Sequence, residues 1–229
     1  MCGRYSISKS TQQLIEQFDA IFEEDFAPNF NAAPSQLLPV LRQSDQRYFE
    51  LLRWGLIPFW AKDHRIGYKM INARSETVAE KPAFRNLLPH NRCIVPAEGY
   101  YEWKPTASGK VPHYIHLKST GVFGMAGLWT TWKNKEQQPV HSFTILTCAA
   151  NPEVTHIHDR MPVILPPEQQ RLWLDPDLPL SQLNELMVSF PGDAMDYYTV
   201  SKAVNTPRNN DPRLLDHVHY DQPSPGLFD

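Results

Sequence analysis

Residues 122–147, VFGMAGLWTTWKNKEQQPVHSFTILT, decide the fold class. Two apolar runs in this stretch, 122–129 and 143–147, are rich in the β-branched and aromatic residues that β-strands prefer. Because few clear helices separate the β-type segments between residues 48 and 147, the sequence predicts an α+β fold with antiparallel sheets. Six more segments have the same β-type composition, namely 37–41, 48–54, 92–95, 100–103, 113–117 and 197–200.

The clearest predicted helix spans residues 10–22. Ser10, followed three residues later by Gln13, is typical of a capping box. Two shorter helices are predicted at residues 166–173 and 181–187. The chain has 21 prolines against 10 glycines, so many φ angles are fixed and long uninterrupted helices are not expected. The first helix carries one apolar stripe, made of Leu14, Ile15, Phe18, Ile21 and Phe22.

Length and composition indicate one folded domain. The 229 residues suffice for one domain with a sizeable core and are short for two. Hydrophobic residues make up 41% of the chain and charged residues 21%, which excludes wholesale disorder. We assign residues 1–215 to the domain. Residues 216–229, rich in Pro, Asp and His, are expected to form a poorly ordered tail.

Several classes of protein are excluded. No stretch approaches the roughly 20 apolar residues that span a bilayer, and the N-terminus lacks the apolar region of a signal peptide. We therefore expect a soluble, cytoplasmic protein with no membrane partner. Three cysteines cannot all pair within one chain, and Cys93 and Cys148 lie in apolar runs, which argues against a disulfide scaffold. The net charge of -3 gives no general sign of nucleic-acid binding, so such a partner would need a locally basic face.

Cys2 follows the initiator methionine, and a small side chain at this position permits removal of Met1. Removal leaves an α-amine and a thiol on one residue, groups that ordinarily titrate at about 8 and about 8.5. A neighbouring cation such as Arg4 would increase the thiolate fraction. An aldehyde condenses with the amine to an imine, and the thiolate then closes on the same carbon to form a thiazolidine. On this residue alone, the alternative is an incidental cysteine in a frayed terminus.

The segment EGYYEW, residues 98–103, predicts a strand in which Glu102 is flanked by aromatic residues. Partial burial among them would raise the pKa of this carboxyl toward neutrality and suit it to proton transfer. The structural alternative is an exposed strand glutamate beside ordinary core aromatics.

The run HIHDRMP, residues 156–162, combines an imidazole, a carboxylate and a guanidinium. His158 suits general acid or base catalysis near pH 7, Asp159 would orient it, and Arg160 would bind a phosphate. The alternative is a solvated polar loop. His156 and His158 also have a spacing found in metal sites, but no cysteine or carboxylate cluster completes one, so neither a metal nor another cofactor is predicted.

Two other segments contain groups that suit binding. In INARSET, Asn72 both donates and accepts hydrogen bonds, and Arg74 suits phosphate, with helix capping as the structural alternative. The aromatic loop WGLIPFW either packs in the core or exposes rings that stack on bases. We expect Trp54 in the core and Trp60 at the surface.

Taken together, these segments resemble the SOS-response-associated peptidase family, also called the abasic-site processing proteins. Six motifs occur in the family's order: MCGR at residue 1, NAAP at 31, WGLIP at 54, INARSE at 71, YEW at 101 and IHDRMP at 157. The resemblance runs from residue 2 to about residue 210. It implies a single compact α+β domain whose antiparallel sheets curl into a barrel-like core, with helices packed outside.

The same resemblance implies covalent capture of abasic sites in single-stranded DNA, through an N-terminal thiazolidine and lyase-like imine chemistry that protects damaged DNA. Cys2 is then the nucleophile, and Asn72 hydrogen-bonds the linkage. Glu102 shuttles protons during imine formation and sugar-ring opening. His158 protonates the departing ring oxygen, and both groups help to reverse the adduct.

We expect the protein to be a monomer. The resemblance also implies how it holds the DNA. The loop that contains Trp54, Pro58 and Trp60 supports or stacks on the strand. A few phosphate contacts suffice for binding despite the net charge of -3. The arginines at family positions near the DNA path are Arg4, Arg74 and Arg160.

Two other functions fit part of this pattern. A cysteine peptidase would use Cys2 as nucleophile, His158 as base and Glu102 as orienter. Because only Met1 precedes Cys2, such an activity would be limited to exposing Cys2. A noncatalytic single-stranded DNA binding module is the second alternative, and the balanced charge without a basic stripe argues against it.

Overall fold

The computed structural model describes residues 2–119 and 121–220. Its helices are α1 (Thr11–Phe18), α2 (Pro167–Leu174) and α3 (Leu180–Leu186). Within the described residues, no helix has the length and apolar character needed to cross a lipid bilayer. The strands are β1 (Tyr5–Ile7), β2 (Asn29–Ala32), β3 (Leu37–Gln43), β4 (Arg47–Trp54), β5 (Asn72–Arg74), β6 (Arg92–Ala97), β7 (Gly99–Thr106), β8 (Gly109–Leu117), β9 (Phe123–Lys133), β10 (Pro139–Ala149), β11 (Arg160–Pro162), β12 (Ile164–Leu165) and β13 (Met195–Thr199).

Five of these strands close into a barrel. Going round it, β10 pairs with β4, β4 with β3, β3 with β6, β6 with β9, and β9 again with β10. Closure pairs the strand edges that an open sheet would leave exposed. β5, β11 and β12 attach to this ring as short additions. The predicted barrel-like core and antiparallel pairing are confirmed, with the addition that β4 and β5 run parallel to β10.

A second, fully antiparallel sheet has the order β13-β8-β7-β1-β2 and supports the N-terminus. In its centre, Tyr5 of β1 lies opposite Tyr100 of β7. The backbone N–H of Tyr101 donates to the carbonyl of Arg4 at 2.9 Å, which continues this pairing toward the start of the chain. The first residues of the protein therefore run antiparallel to the part of β7 that contains Glu102.

All eight predicted strands are confirmed, and most are longer than predicted. Five strands are not among the eight predicted ones, because each has only two to four residues and shows no clear alternation: β1, β2, β5, β11 and β12. Helices α2 and α3 are confirmed to within one residue of the predicted bounds.

The predicted length of the first helix is wrong, although its start is confirmed. The side chain of Ser10 accepts from the backbone of Gln13, and the side chain of Gln13 accepts from Ser10, which completes the capping box. The helix ends at Phe18 because Asp19 adopts a left-handed conformation with φ 47°. Ile21 forms a β-bridge to β4 instead of a further helical turn.

The first residues of the predicted tail contact the end of β13. Val218 donates its backbone N–H to the carbonyl of Thr199 at 2.9 Å, and the Tyr220 hydroxyl donates to the carbonyl of Val200 at 2.8 Å. Residues 221–229 lie outside the described residues. The domain boundary at residue 215 stays a prediction.

Candidate active site

The side chain of Cys2 is completely buried and belongs to the main hydrophobic core. Its thiol is directed at the carbonyl oxygen of Arg4, with a sulfur–oxygen distance of 3.8 Å. The amide nitrogen of Asn72 donates to the carbonyl of Cys2 at 2.8 Å. The alternative of a frayed terminus is therefore wrong, because the residue is held on both sides.

Burial also determines the protonation state of this thiol. It raises the pKa of Cys2 well above its ordinary value, and the negative charge of Glu102 raises it further. The expectation that Arg4 stabilises the thiolate is wrong. The guanidinium of Arg4 donates to Asn31 Oδ1 at 3.0 Å and to the carbonyl of Val204 at 2.8 Å. The thiol is thus well positioned and, in this environment, neutral at physiological pH.

Asn72 is positioned by β5, which runs parallel to β10 and pairs Asn72 with Ile145. The indole N–H of Trp54 donates to the carbonyl of Ile71 at 2.9 Å and so supports the residue before Asn72. Within the described structure, Asn72 Oδ1 is buried and makes no hydrogen bond. An acceptor atom is therefore available close to the backbone of Cys2.

Glu102 is only 3% exposed, and burial raises its pKa. The predicted partial burial is confirmed, and the alternative of an exposed strand glutamate is wrong. A positive charge on His158 acts on the carboxyl in the opposite direction, so the two groups are within electrostatic reach. They share an open groove of about 560 Å³, whose lining residues are Glu102, Trp103, Lys110, His158 and Asn205.

Lys110 and Asn205 also line the groove, and the sequence predicts no role for either. They reach the groove from the β7–β8 hairpin and from the turn after β13, and no local motif marks them. Asn205 Oδ1 accepts a 2.7 Å hydrogen bond from the indole N–H of Trp103, which fixes the edge of that ring. Only the folded arrangement identifies these residues as part of the groove.

His158 lies in the loop between β10 and β11, next to two groups that orient its ring. Its Nδ1 lies 2.9 Å from Asp159 Oδ1 and accepts the backbone N–H of Arg160 at 3.0 Å. In the neutral ring, acceptance from Arg160 leaves the proton on Nε2, whereas a protonated ring donates from Nδ1 to Asp159. The predicted orienting contact with Asp159 is present in the structure.

The side chain of Arg160 ties this loop to the segment after Asn72. Its guanidinium makes two bonds to the carboxylate of Glu76, at 2.5 and 2.9 Å, and a third to the carbonyl of Thr147 at 2.6 Å. These donors already have partners within the protein. The contact of Arg160 with phosphate stays a prediction.

The remaining predicted DNA contacts differ in exposure. Arg74 lies at the surface, and Trp60 is 49% exposed. Trp54, at 1% exposure, and Pro58 are both buried. Of the two predicted roles, supporting the DNA strand or stacking on its bases, only support is open to these two residues. Phe59, for which the sequence predicts no separate role, is the most exposed ring of the loop at 69%.

All three cysteines are buried and unpaired. The predicted burial of Cys93 and Cys148 is confirmed, whereas the burial of Cys2 is not predicted from the sequence. In the described part of the chain, no group of three or more His, Cys, Asp or Glu residues is arranged to hold a metal ion.

Comparison with known proteins gives consistent matches over nearly the whole chain. Residues 1–207 match the family model described as SOS response associated peptidase (SRAP). The abasic site processing protein YoqW of Bacillus subtilis is 44% identical over 222 residues, covering 94% of this chain and 99% of YoqW. The abasic site processing protein HMCES of Gallus gallus is 29% identical and covers 94% of this chain and 77% of HMCES. A crystal structure of a protein from Bacteroides thetaiotaomicron matches with a TM-score of 0.89 at 28% identity, covering 95% of this chain and 100% of that one.

Replacing Glu76 with glutamine is expected to lower the free energy of unfolding at pH 7 by about 1 kcal/mol, because the largely buried Arg160 loses its charged partner while solvent screens the half-exposed carboxylate. Arg160 lowers the pKa of Glu76, so this stabilisation is present above the ordinary carboxyl pKa of about 4.3 and is lost as the pH falls through the lower folded value. Urea unfolding at several pH values measures the loss.

The matched control is Glu80→Gln, which changes an exposed glutamate that makes no ion pair with any described residue. Equal stability losses in the two variants at pH 7 would contradict a role for the Glu76–Arg160 pair.

Proposed function

Since the chain belongs to the SOS response associated peptidase family, we propose that it processes abasic sites by capturing them in single-stranded DNA as a Cys2 thiazolidine. The observation that carries this proposal is the position of Cys2, a residue suited to aldehydes, which is hydrogen-bonded by Asn72 and lies within electrostatic reach of Glu102. The relatives from Bacillus subtilis and Gallus gallus, both named abasic site processing proteins, support the same substrate.

The proposed chemistry needs the free α-amine that removal of Met1 creates. The amine adds to the aldehyde carbon, and the carbonyl oxygen leaves as water, which gives a protonated imine. The thiolate of Cys2 then adds to the same carbon, and the electron pair of the C=N bond moves to nitrogen, so a neutral ring forms. The buried thiol must lose its proton before this second step.

Glu102 and His158 are proposed to move the protons. An abasic sugar is mostly a closed hemiacetal, so its ring must open before the imine can form. Protonation of the ring oxygen by His158 promotes opening, and the buried carboxyl of Glu102, with its raised pKa, exchanges protons with the amine and thiol. Asn72 holds the backbone of Cys2 and offers its buried Oδ1 to the amine.

For the DNA strand, we propose that Arg74 contacts phosphate and that Trp60 stacks on a base, because both are exposed. Arg4 and Arg160 already donate to groups within the protein. A phosphate contact by Arg160 would require DNA to replace the carboxylate of Glu76.

Cys2→Ala is expected to abolish the covalent adduct, because both the sulfur and the ring closure are lost. Cys2→Ser should form only an unstable imine through its amine. A variant with one extra residue ahead of Cys2 should be nearly as inactive as Cys2→Ala, since its amine becomes an amide. The measurement is a denaturing gel with heated samples of protein and single-stranded DNA that carries one abasic site.

A heat-stable band of undiminished intensity with Cys2→Ala would reject the mechanism. Failure of the unsubstituted protein to give any such band would favour the peptidase or the noncatalytic binding module instead.

Glu102→Gln and His158→Ala are each expected to slow adduct formation by about 100-fold, the lower end of what a positioned proton-transfer group supplies. Loss of His158 should slow reversal as well, so the final amount of adduct is still reached at long times. Single-turnover time courses between about pH 5 and pH 8, where histidine side chains change charge, measure both directions.

His156→Ala is the matched control, because His156 lies two residues from His158 and packs against the ring of Tyr197 instead of lining the groove. If His158→Ala kept the parent's rates in both directions, His158 would be only a structural residue.

Arg74→Ala is expected to weaken binding of undamaged single-stranded DNA and to make the logarithm of affinity less steep against the logarithm of salt concentration, by about 0.7. The exposed Arg171 on α2 provides the control substitution Arg171→Ala. A salt slope unchanged in Arg74→Ala would exclude a phosphate contact, and the same titration of Arg160→Ala tests the other prediction.

A further inference from the structure

The buried environment of Cys2 leaves one requirement of the proposed function unexplained. Forming a thiolate inside the core is unfavourable, since no solvent reaches the sulfur and the guanidinium of Arg4 is bonded elsewhere. The neighbouring carboxyl of Glu102 makes a negative sulfur still less favourable. Some group with a hydrogen-bond donor is needed to offset this cost.

Two tyrosines in the hydrophobic core cluster that contains Cys2 have buried hydroxyls that make no hydrogen bond within the described residues. Tyr5 and Tyr100 are both completely buried, and neither hydroxyl makes a hydrogen bond within the described structure. Buried hydroxyls without a partner are rare, and each one requires an explanation. The hydroxyls of Tyr101 and Tyr114, in the same sheet, are bonded to the carbonyl of Phe30 and to Ser6 Oγ.

Strand pairing places these two side chains together on the core face. Tyr5 and Tyr100 lie directly opposite each other in the β1–β7 pair, so their side chains emerge on the same face of the sheet. Alternation along β7 puts Glu102 on that face as well. Both tyrosines belong to the core cluster that contains Cys2, and the ring of Tyr5 packs against Trp54 at 5.2 Å between centroids.

An electrostatic effect links both tyrosines to Cys2. A negative charge on Cys2 raises the pKa of both Tyr5 and Tyr100, after the larger effect of burial. Both phenols therefore stay protonated at neutral pH, and each retains a proton to donate.

We propose that the hydroxyl groups of Tyr5 and Tyr100 donate hydrogen bonds to the sulfur of Cys2 when it becomes a thiolate. This inference rests on the proposed function and adds two residues to it. No proton moves from either tyrosine. Each O–H bond stays intact while the sulfur forms its new bond to the imine carbon, and the hydrogen bonds stabilise the anion that precedes this step.

Other titratable groups lie around the same site. Glu102 acts on both Cys2 and Tyr100, Cys93 on Tyr5, and Cys148 on Tyr100. The thiol of Cys148 is directed at the carbonyl of Met161 at 3.9 Å. After removal of Met1, the α-amine of Cys2 itself adds a positive charge beside the sulfur. All of these remain unchanged when a tyrosine is replaced by phenylalanine, so the comparison isolates the hydroxyl.

The test measures the reaction of Cys2 with acetaldehyde, a probe that needs no DNA. Tyr5→Phe, Tyr100→Phe and the double variant, each without Met1, are compared with the parent by intact mass over time between about pH 6 and pH 10. Each single change should slow thiazolidine formation by about tenfold near neutral pH, as expected for the loss of a hydrogen bond to a charged atom. The pH at which the rate reaches half its maximum should rise.

Tyr114→Phe is the matched control, because its buried hydroxyl already has Ser6 as a partner. It should lower the thermal midpoint and leave the acetaldehyde rate unchanged. Tyr5→Phe and Tyr100→Phe should instead slow the reaction with acetaldehyde and leave the thermal midpoint unchanged. A buried hydroxyl without a hydrogen-bond partner does not stabilise the folded state, so its removal costs no stability.

The inference would be overturned if Tyr5→Phe and Tyr100→Phe both reacted with acetaldehyde at the parent's rate. It would also be overturned if Tyr114→Phe slowed the reaction as much as they do. If the parent reacted with acetaldehyde and failed to capture abasic DNA, the proposed function would fail while the effect of the tyrosines remained measurable.

Discussion

The backbone pairing of β1 with β7 is the constraint on which the site depends. It places Tyr5 opposite Tyr100 and lets the carbonyl of Arg4 accept the N–H of Tyr101. The start of the chain therefore runs beside β7, the strand that contains Glu102. The thiol of Cys2 is directed at the same carbonyl oxygen of Arg4. β1 has only three residues, so a few backbone hydrogen bonds to β7 fix the position of the N-terminus.

This arrangement has a chemical cost. A terminus fixed in the core can hold its amine and sulfur in one geometry, which favours ring closure on a bound aldehyde. The same burial opposes ionisation of the thiol and of Glu102, and it raises the pKa of each. In the proposed mechanism, the hydrogen bonds and proton transfer that solvent cannot supply come from Asn72, Glu102 and the two tyrosine hydroxyls.

Most of the barrel is predictable from the sequence, because its strands are long, apolar and β-branched, as in the strand that contains Ile145. The end of the first helix before Asp19 cannot be predicted from the sequence, since it depends on the left-handed conformation of that one residue. The local motifs suffice to predict the chemistry proposed for Cys2. They gave no sign that the guanidinium of Arg4 points away from the thiol or that Asn205 reaches the groove, because both follow from contacts between distant segments.

In the proposed function, the N-terminal aminothiol of Cys2 forms the bond to DNA. The most direct measurement is peptide mapping by tandem mass spectrometry after the protein is mixed with abasic single-stranded DNA and the DNA is digested to a nucleotide remnant. We expect the remnant on a peptide that begins at Cys2, with Met1 absent and both the nitrogen and the sulfur of Cys2 blocked. A remnant on a lysine, or on a peptide that retains Met1, would contradict it.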